Sequence, residues 1–155
     1  KQQELTYAAM LHNLGHIGTP ECTLFDANDL TKPDQTILEA RCEQGAEIIS
    51  RIVELREVAD AVRFQRENFD GSGHPRGLRG EQIPITSRII RVADEYASLT
   101  QPQGPSVAVN HEAAVENLRA RIGKDFDPPI VEALVKLGPV ILSQNSSAHT
   151  VPQYA

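Results

Sequence analysis

Apolar residues recur along this chain at the three- and four-residue spacing of α-helices, and no stretch alternates as a half-buried strand does, short extended pieces beside a glycine-rich loop excepted. That periodicity predicts an all-α domain. The first helix is expected over about Gln3 to Asn13, carrying Leu5, Ala8, Ala9, Met10 and Leu11 and stopping at Gly15 in a left-handed cap. Such a helix wants burial on most sides. Thr31-Lys32-Pro33-Asp34 has the form of a capping box with proline in the first turn, predicting a helix to about Ala40, a junction beside Arg41 and a further helix through Glu43 to Val53. Arg56 to Asn68 reads as a helix feeding the loop Asp70 to Ile83, where Gly71, Gly73, Gly77 and Gly80 with Pro75 and Pro84 allow tight turns. A helix from about Thr86 to Leu99 follows, then the turn-rich connector Gln101 to Ser106. Asn110 is placed to cap a helix ending before Gly123, and Asp127-Pro128 opens a last helix that Gly138-Pro139 should stop. From Ser143 to Ala155 a disordered tail is expected.

A chain of 155 residues with 40% hydrophobic content is long enough to bury the core of one domain and too short for two. Its net charge of −6 argues against broad electrostatic binding to nucleic acid or an anionic membrane, while leaving room for a local cationic pocket. Cys22 and Cys42 stand in no metal-type spacing and suggest a reducing compartment, so each reads as a plain small side chain. No apolar run approaches the roughly 18 residues that span a bilayer, and no secretory pattern opens the chain. A cytoplasmic protein is expected. There are no internal repeats.

Four separated blocks say more: Leu11-His12-Asn13-Leu14-Gly15-His16-Ile17-Gly18-Thr19-Pro20, Arg41 to Ile49, Gln65-Arg66-Glu67-Asn68-Phe69-Asp70-Gly71-Ser72-Gly73-His74-Pro75, and Ile89 to Thr100. From about Tyr7 to Leu137 the chain resembles the HD-GYP family, bacterial phosphodiesterases that open cyclic di-GMP at a two- or three-metal centre. The blocks match the family patterns L-H-D-I-G-K-I-G-I-P, H-P-E-I-G-A-E-I-L, H-H-E-R-W-D-G-S-G-Y-P and I-L-A-V-A-D-V-Y-D-A-L-T. The resemblance implies an HD-superfamily helical bundle over residues 1–142, whose loop carries Gly73-His74-Pro75 where relatives carry G-Y-P. In the relatives further helices precede the first, so either an N-terminal section is expected to be missing or the first helix is expected to rely on a neighbouring chain.

A hydrolytic metal centre needs imidazoles and carboxylates to hold the ions that activate water. Of the six positions that the resemblance assigns to the dinuclear ligands, His12 and Asp94 keep the expected type, whereas Asn13, Arg41, Gln65 and Arg66 stand for Asp, His, His and His. A carboxamide is a weak neutral ligand, and a guanidinium has no lone pair to give and repels cations. The family uses iron, manganese or other divalent ions. Here no metal and no other cofactor is expected, and no catalytic residue is assigned. Two arginines and one aspartate leave these positions with net positive charge and no ion, so the charge of a metal-loaded site is nearly kept by substitution. Asp94 is therefore expected to pair with Arg41 or Arg66, the arginine fork acting as an attached cation, and loss of one partner of a buried pair costs ~3–5 kcal/mol. The opposing reading turns both arginines to solvent, as is usual for arginine, and leaves His12 and Asp94 in ordinary hydrogen bonds.

His16 replaces a lysine that lies near the substrate phosphate in relatives; it reads either as a helix-end histidine or, with Arg41 and Arg66, as part of a phosphate pocket. His74 replaces the tyrosine of a loop that the family associates with partner-domain contacts. His111 and His149 have no motif around them, and no activating histidine is placed beside Cys42. Glu67 and Asp70 match residues expected to brace the loop. The G-x-G beside Pro75 imitates a phosphate cradle, but no strand precedes it and no Lys-Ser or Lys-Thr follows.

Three functions fit these residues. The leading one is a catalytically impaired or inactive HD-GYP-type domain, a pseudoenzyme serving as a regulatory or protein-interaction module in bacterial cyclic-dinucleotide signalling, which contacts other signalling domains around Gly73, His74, Pro75 and Arg76. The second is a metal-free receptor for cyclic di-GMP or another phosphate ligand, built on Arg41, Arg66 and His16. The third is a surviving metal-dependent phosphodiesterase that recruits unusual ligands. No nucleic-acid partner is expected.

Overall fold

Six α-helices carry the described part of the chain: α1 (Gln2–Leu11), α2 (Lys32–Ser50), α3 (Arg56–Arg63), α4 (Ile85–Thr100), α5 (His111–Ala120) and α6 (Pro128–Ala148). The computed structural model describes residues 2–17, 32–101 and 107–148, with backbone alone at 32–39 and 139–148. Among these residues no strand forms, and Ile122 and Phe126 make only an isolated bridge. The all-helical expectation holds. No helix of the described residues is long and apolar enough to cross a membrane.

α1 ends at Leu11 and passes into a single 3-10 turn, Leu14–His16. Gly15 is not a left-handed stop, since it is absent from the glycines with positive φ. A Cβ there would lie 1.8 Å from the carbonyl oxygen of Arg41, and one on Gly45 would lie 3.0 Å from the Gly15 nitrogen. The two glycines let the turn press directly on α2.

α2 itself runs through Arg41 without the expected junction. Arg41, Cys42, Gly45, Ala46 and Ile49 are all buried, spaced as one face of a continuous helix. The stripe that feeds the core thus carries Arg41 inward. α3 is shorter than the sequence predicts: Phe64 N donates to Asp60 O to close it, and Gln65 and Arg66 lie in the turn beyond. The glycine-rich loop is built on Glu67, 2% exposed, whose two carboxylate oxygens accept from Arg76 N (2.7 Å) and Leu78 N (3.1 Å). The carboxylate of Asp70 accepts from Ser72 N at 2.9 Å, and the His74-Pro75 peptide is cis.

α4 is shared by two cores. Its Ile90 packs with Ala8 of α1, Ala46 and Ile49 of α2 and Val58 and Val62 of α3; its Val92 and Tyr96 pack with Ala114 and Leu118 of α5, Phe126 and Val131. Asn110 caps α5, its side chain accepting from Ala113 N at 2.9 Å. α6 corrects an expectation: it passes through Gly138-Pro139 and includes 143–148, placed above in the tail. The helix forgoes the one backbone bond that proline cannot donate. Gly138 serves a contact instead, because a Cβ on it would stand 2.6 Å from His111 Nε2. The capping threonine Thr31, most of the 101–106 connector, and residues 149–155 lie outside the described residues.

Candidate functional site

Four pieces of the fold converge on one small pocket: the end of α1, the 3-10 turn, the middle of α2 and the turn after α3. It is lined by His12, Asn13, His16, Arg41, Cys42, Gln65 and Arg66. Asp94, on α4, stands beside it with Oδ1 3.6 Å from His12 Nε2 and Oδ2 3.7 Å from Arg66 Nη2. All six positions that the resemblance assigns to metal ligands are therefore neighbours in space, and His16 joins them.

The His12 ring is oriented from behind, Nδ1 donating to the Ala9 carbonyl at 2.7 Å, which turns Nε2 toward Asp94. The Asp94 carboxylate raises the His12 pKa above the ordinary histidine value against the opposing effect of burial. In return the His12 imidazole, with Arg66 adding to it, holds Asp94 below the usual carboxylate range. His16 is moved the other way, lowered by burial and by the nearby Arg41 and Arg66 guanidiniums. Gln65 is 6% exposed and locked, its amide nitrogen donating to the His12 carbonyl at 2.8 Å and toward Cys42 Sγ at 3.7 Å. Burial pushes the Cys42 thiol up, which disfavours its thiolate.

The two arginines divide the expectations between them. Arg41 is 5% exposed and points inward, while Arg66 sits at the rim and is the one that reaches Asp94. Because the Asp94 and Arg66 side chains are 33% and 44% exposed, their pairing belongs with solvent-screened bridges worth about 0–1 kcal/mol. The ~3–5 kcal/mol expected of a buried pair does not apply to it.

This residue set does not fit a dinuclear metal centre. Of the six positions only His12 and Asp94 offer good donor atoms, the Gln65 amide is spent on protein partners, and two guanidiniums face the space an ion would need. Among the described residues no group of three or more His, Cys, Asp or Glu is placed to hold a metal.

Gly73, His74 and Pro75 lie outside the pocket on the loop, His74 and Pro75 exposed, although His74 N donates to the Arg66 carbonyl at 3.2 Å. His111 is elsewhere, sharing a 2.9 Å hydrogen bond between Nδ1 and Tyr96 Oη. His149 and Cys22 fall outside the described residues. Sequence reasoning overlooked Arg91, which is largely buried one turn before Asp94, helps to lower its pKa, and lies over the Phe126 ring at 5.6 Å. Its three-residue spacing from Asp94 on a helix was the available signal.

The profile of the HD domain family matches residues 1–130. The chain belongs to the HD domain family. Its relatives are of the HD-GYP type. The chain is 35% identical over 133 residues to the cyclic di-GMP phosphodiesterase response regulator RpfG of Xanthomonas campestris, covering 83% of this chain and 35% of that protein. It is 33% identical to a cyclic di-GMP phosphodiesterase of Thermotoga maritima, covering 86% and 37%, and 32% identical to the 3'3'-cGAMP-specific phosphodiesterase 2 of Vibrio cholerae, covering 83% and 25%. The chain thus spans about a third or less of these relatives. The crystal structure of a cyclic GMP-AMP-specific phosphodiesterase of Vibrio cholerae superimposes with a TM-score of 0.69 at 23% identity, over 90% of this chain and 39% of that one, a likeness of fold.

Proposed function

We propose that this domain does not hydrolyse cyclic dinucleotides and serves as a regulatory, protein-interaction module within cyclic-dinucleotide signalling. The observation that carries this reading is the buried Arg41 guanidinium lining the pocket, with Arg66 at its rim. Metal-assisted hydrolysis requires an ion to lower the pKa of a bound water, and fixed positive charge repels that ion while supplying no proton acceptor. The exposed, Glu67-braced loop around His74, Pro75 and Arg76 suits contact with another signalling domain, of the same protein or a partner, in the cytoplasm. Names of relatives point to cyclic di-GMP and 3'3'-cGAMP as the nucleotides of that signalling system.

The test is direct. Protein loaded with excess manganese or ferrous iron is incubated with cyclic di-GMP and with 3'3'-cGAMP, and linear products are separated by chromatography. No product above the protein-free control is expected. Multiple turnovers that disappear in Asp94→Ala would overturn the proposal.

A further inference from the structure

We propose that the pocket between Arg41, Arg66 and His16 binds the terminal phosphate of a phosphate monoester, an anion seated where the resemblance puts metal ions. This rests on the reading that no ions occupy the pocket.

The charge arrangement comes first. Three elements that are far apart in sequence bring two guanidiniums and an imidazole to one opening: α2 supplies Arg41, the turn after α3 supplies Arg66, and the 3-10 turn supplies His16. One carboxylate, Asp94, faces them from the side, and it is shared between His12 at 3.6 Å and Arg66 at 3.7 Å. Both distances are ion-pair contacts longer than hydrogen bonds, so Arg66 can turn its fork to a better acceptor at little cost. Arg41 is held on the inner face. It shares the buried stripe of α2 with Cys42, Gly45 and Ala46, and the Gly15 turn is packed on its carbonyl. An anion in the pocket meets positive charge from both guanidiniums, which can donate forked hydrogen bonds to its oxygens.

Size and charge then select the class of anion. The hollow is a cavity of about 10 Å³, room for roughly one oxygen-sized occupant. A monoester has three unsubstituted oxygens and a charge of about −1.5 to −2 at neutral pH, so it can present an oxygen end-on while its ester group stays outside. A phosphodiester in a closed dinucleotide ring has one negative charge and is flanked by a sugar on each side, which keeps its oxygens from entering so deep. Inorganic phosphate and a nucleotide with a terminal 5'-phosphate share the required chemistry.

Calorimetry on the metal-free protein, with chelator present, separates the possibilities. Inorganic phosphate and guanosine 5'-monophosphate are both expected to bind, and cyclic di-GMP to bind at least about ten-fold more weakly than the monoester. Arg66→Met, at an exposed position, should keep the melting temperature and weaken monoester binding about ten-fold or more, and Arg41→Met should do the same if it folds. Absence of heat with both phosphates at millimolar concentration would overturn the proposal, as would monoester binding unchanged in Arg66→Met. Tighter binding of cyclic di-GMP than of the monoester would overturn the assigned class. Failure here leaves the hydrolysis result untouched, and turnover with metal refutes the other reading whatever the phosphate titration shows.

Discussion

Asp94 faces a histidine and an arginine with one negative charge, and the pH response of the pocket follows from that sharing. His12 holds its proton more tightly folded than unfolded, so its contribution to stability is complete below the ordinary value of 6.5 and is lost as pH rises through the higher folded value. Asp94 is lowered, so its contribution is present above 3.8 and is lost as pH falls through the lower folded value. The pair is at full strength between those limits. An NMR titration should place the His12 midpoint above 6.5 and that of His16 below it, and Asp94→Asn should bring His12 down. An unmoved His12 midpoint in that variant contradicts the pairing. Gly15 gives a second prediction. A methyl group 1.8 Å from the Arg41 carbonyl oxygen forces two backbones apart, so Gly15→Ala should cost about 3 kcal/mol in urea unfolding; a midpoint unchanged from the parent would refute the contact. That these six positions would meet was implied by the family resemblance that the blocks carry. That Arg41 would be inside and Arg66 at the rim was not, because register names a position without its share of solvent, and here the continuous stripe of α2 decides it.

Helix interiors were easier to read than helix ends, and the misreadings have a common physical origin. Gly15 and Gly138 look like stops within any local window, yet each accommodates a distant group: the Arg41 carbonyl in one case and the His111 ring in the other. The supposed break at Arg41 failed for a related reason, since a polar residue on a buried stripe interrupts the apolar pattern without interrupting the helix. Asn110 and α4 were read correctly because a cap bond and a strong amphipathic repeat are local properties. The loop depends on one side chain. Both Glu67 oxygens accept backbone N–H groups, and Glu67→Gln sets an amide donor against one of them, at a cost of about 1–3 kcal/mol. Amide hydrogen exchange should accelerate at Arg76 and Leu78 in that variant while the α4 amides stay protected. Unaltered exchange at both loop amides would show that the loop is held by something else.

α4 contributes to both cores, with Ile90 turned to the first and Val92, two residues on, to the second. The ion pair between Arg88 and Asp127 ties the same helix to the start of α6. Phe126, 1% exposed and with the Arg121 guanidinium 4.7 Å from its ring centre, is the largest fully buried side chain among the described residues. Phe126→Ala should therefore cost about 3–5 kcal/mol and lower the midpoint of the whole transition, including signals from α1 and α3. Separate melting of the two halves would contradict the shared helix. The account as a whole turns on the sign of charge in a hollow reached by α1, α2 and the turn after α3. Anomalous diffraction at the manganese and iron edges, from crystals grown with an excess of either ion, addresses it most directly. No anomalous peak is expected between His12, Arg41 and Asp94; two well-occupied peaks there, bridged by a solvent oxygen, would contradict the account.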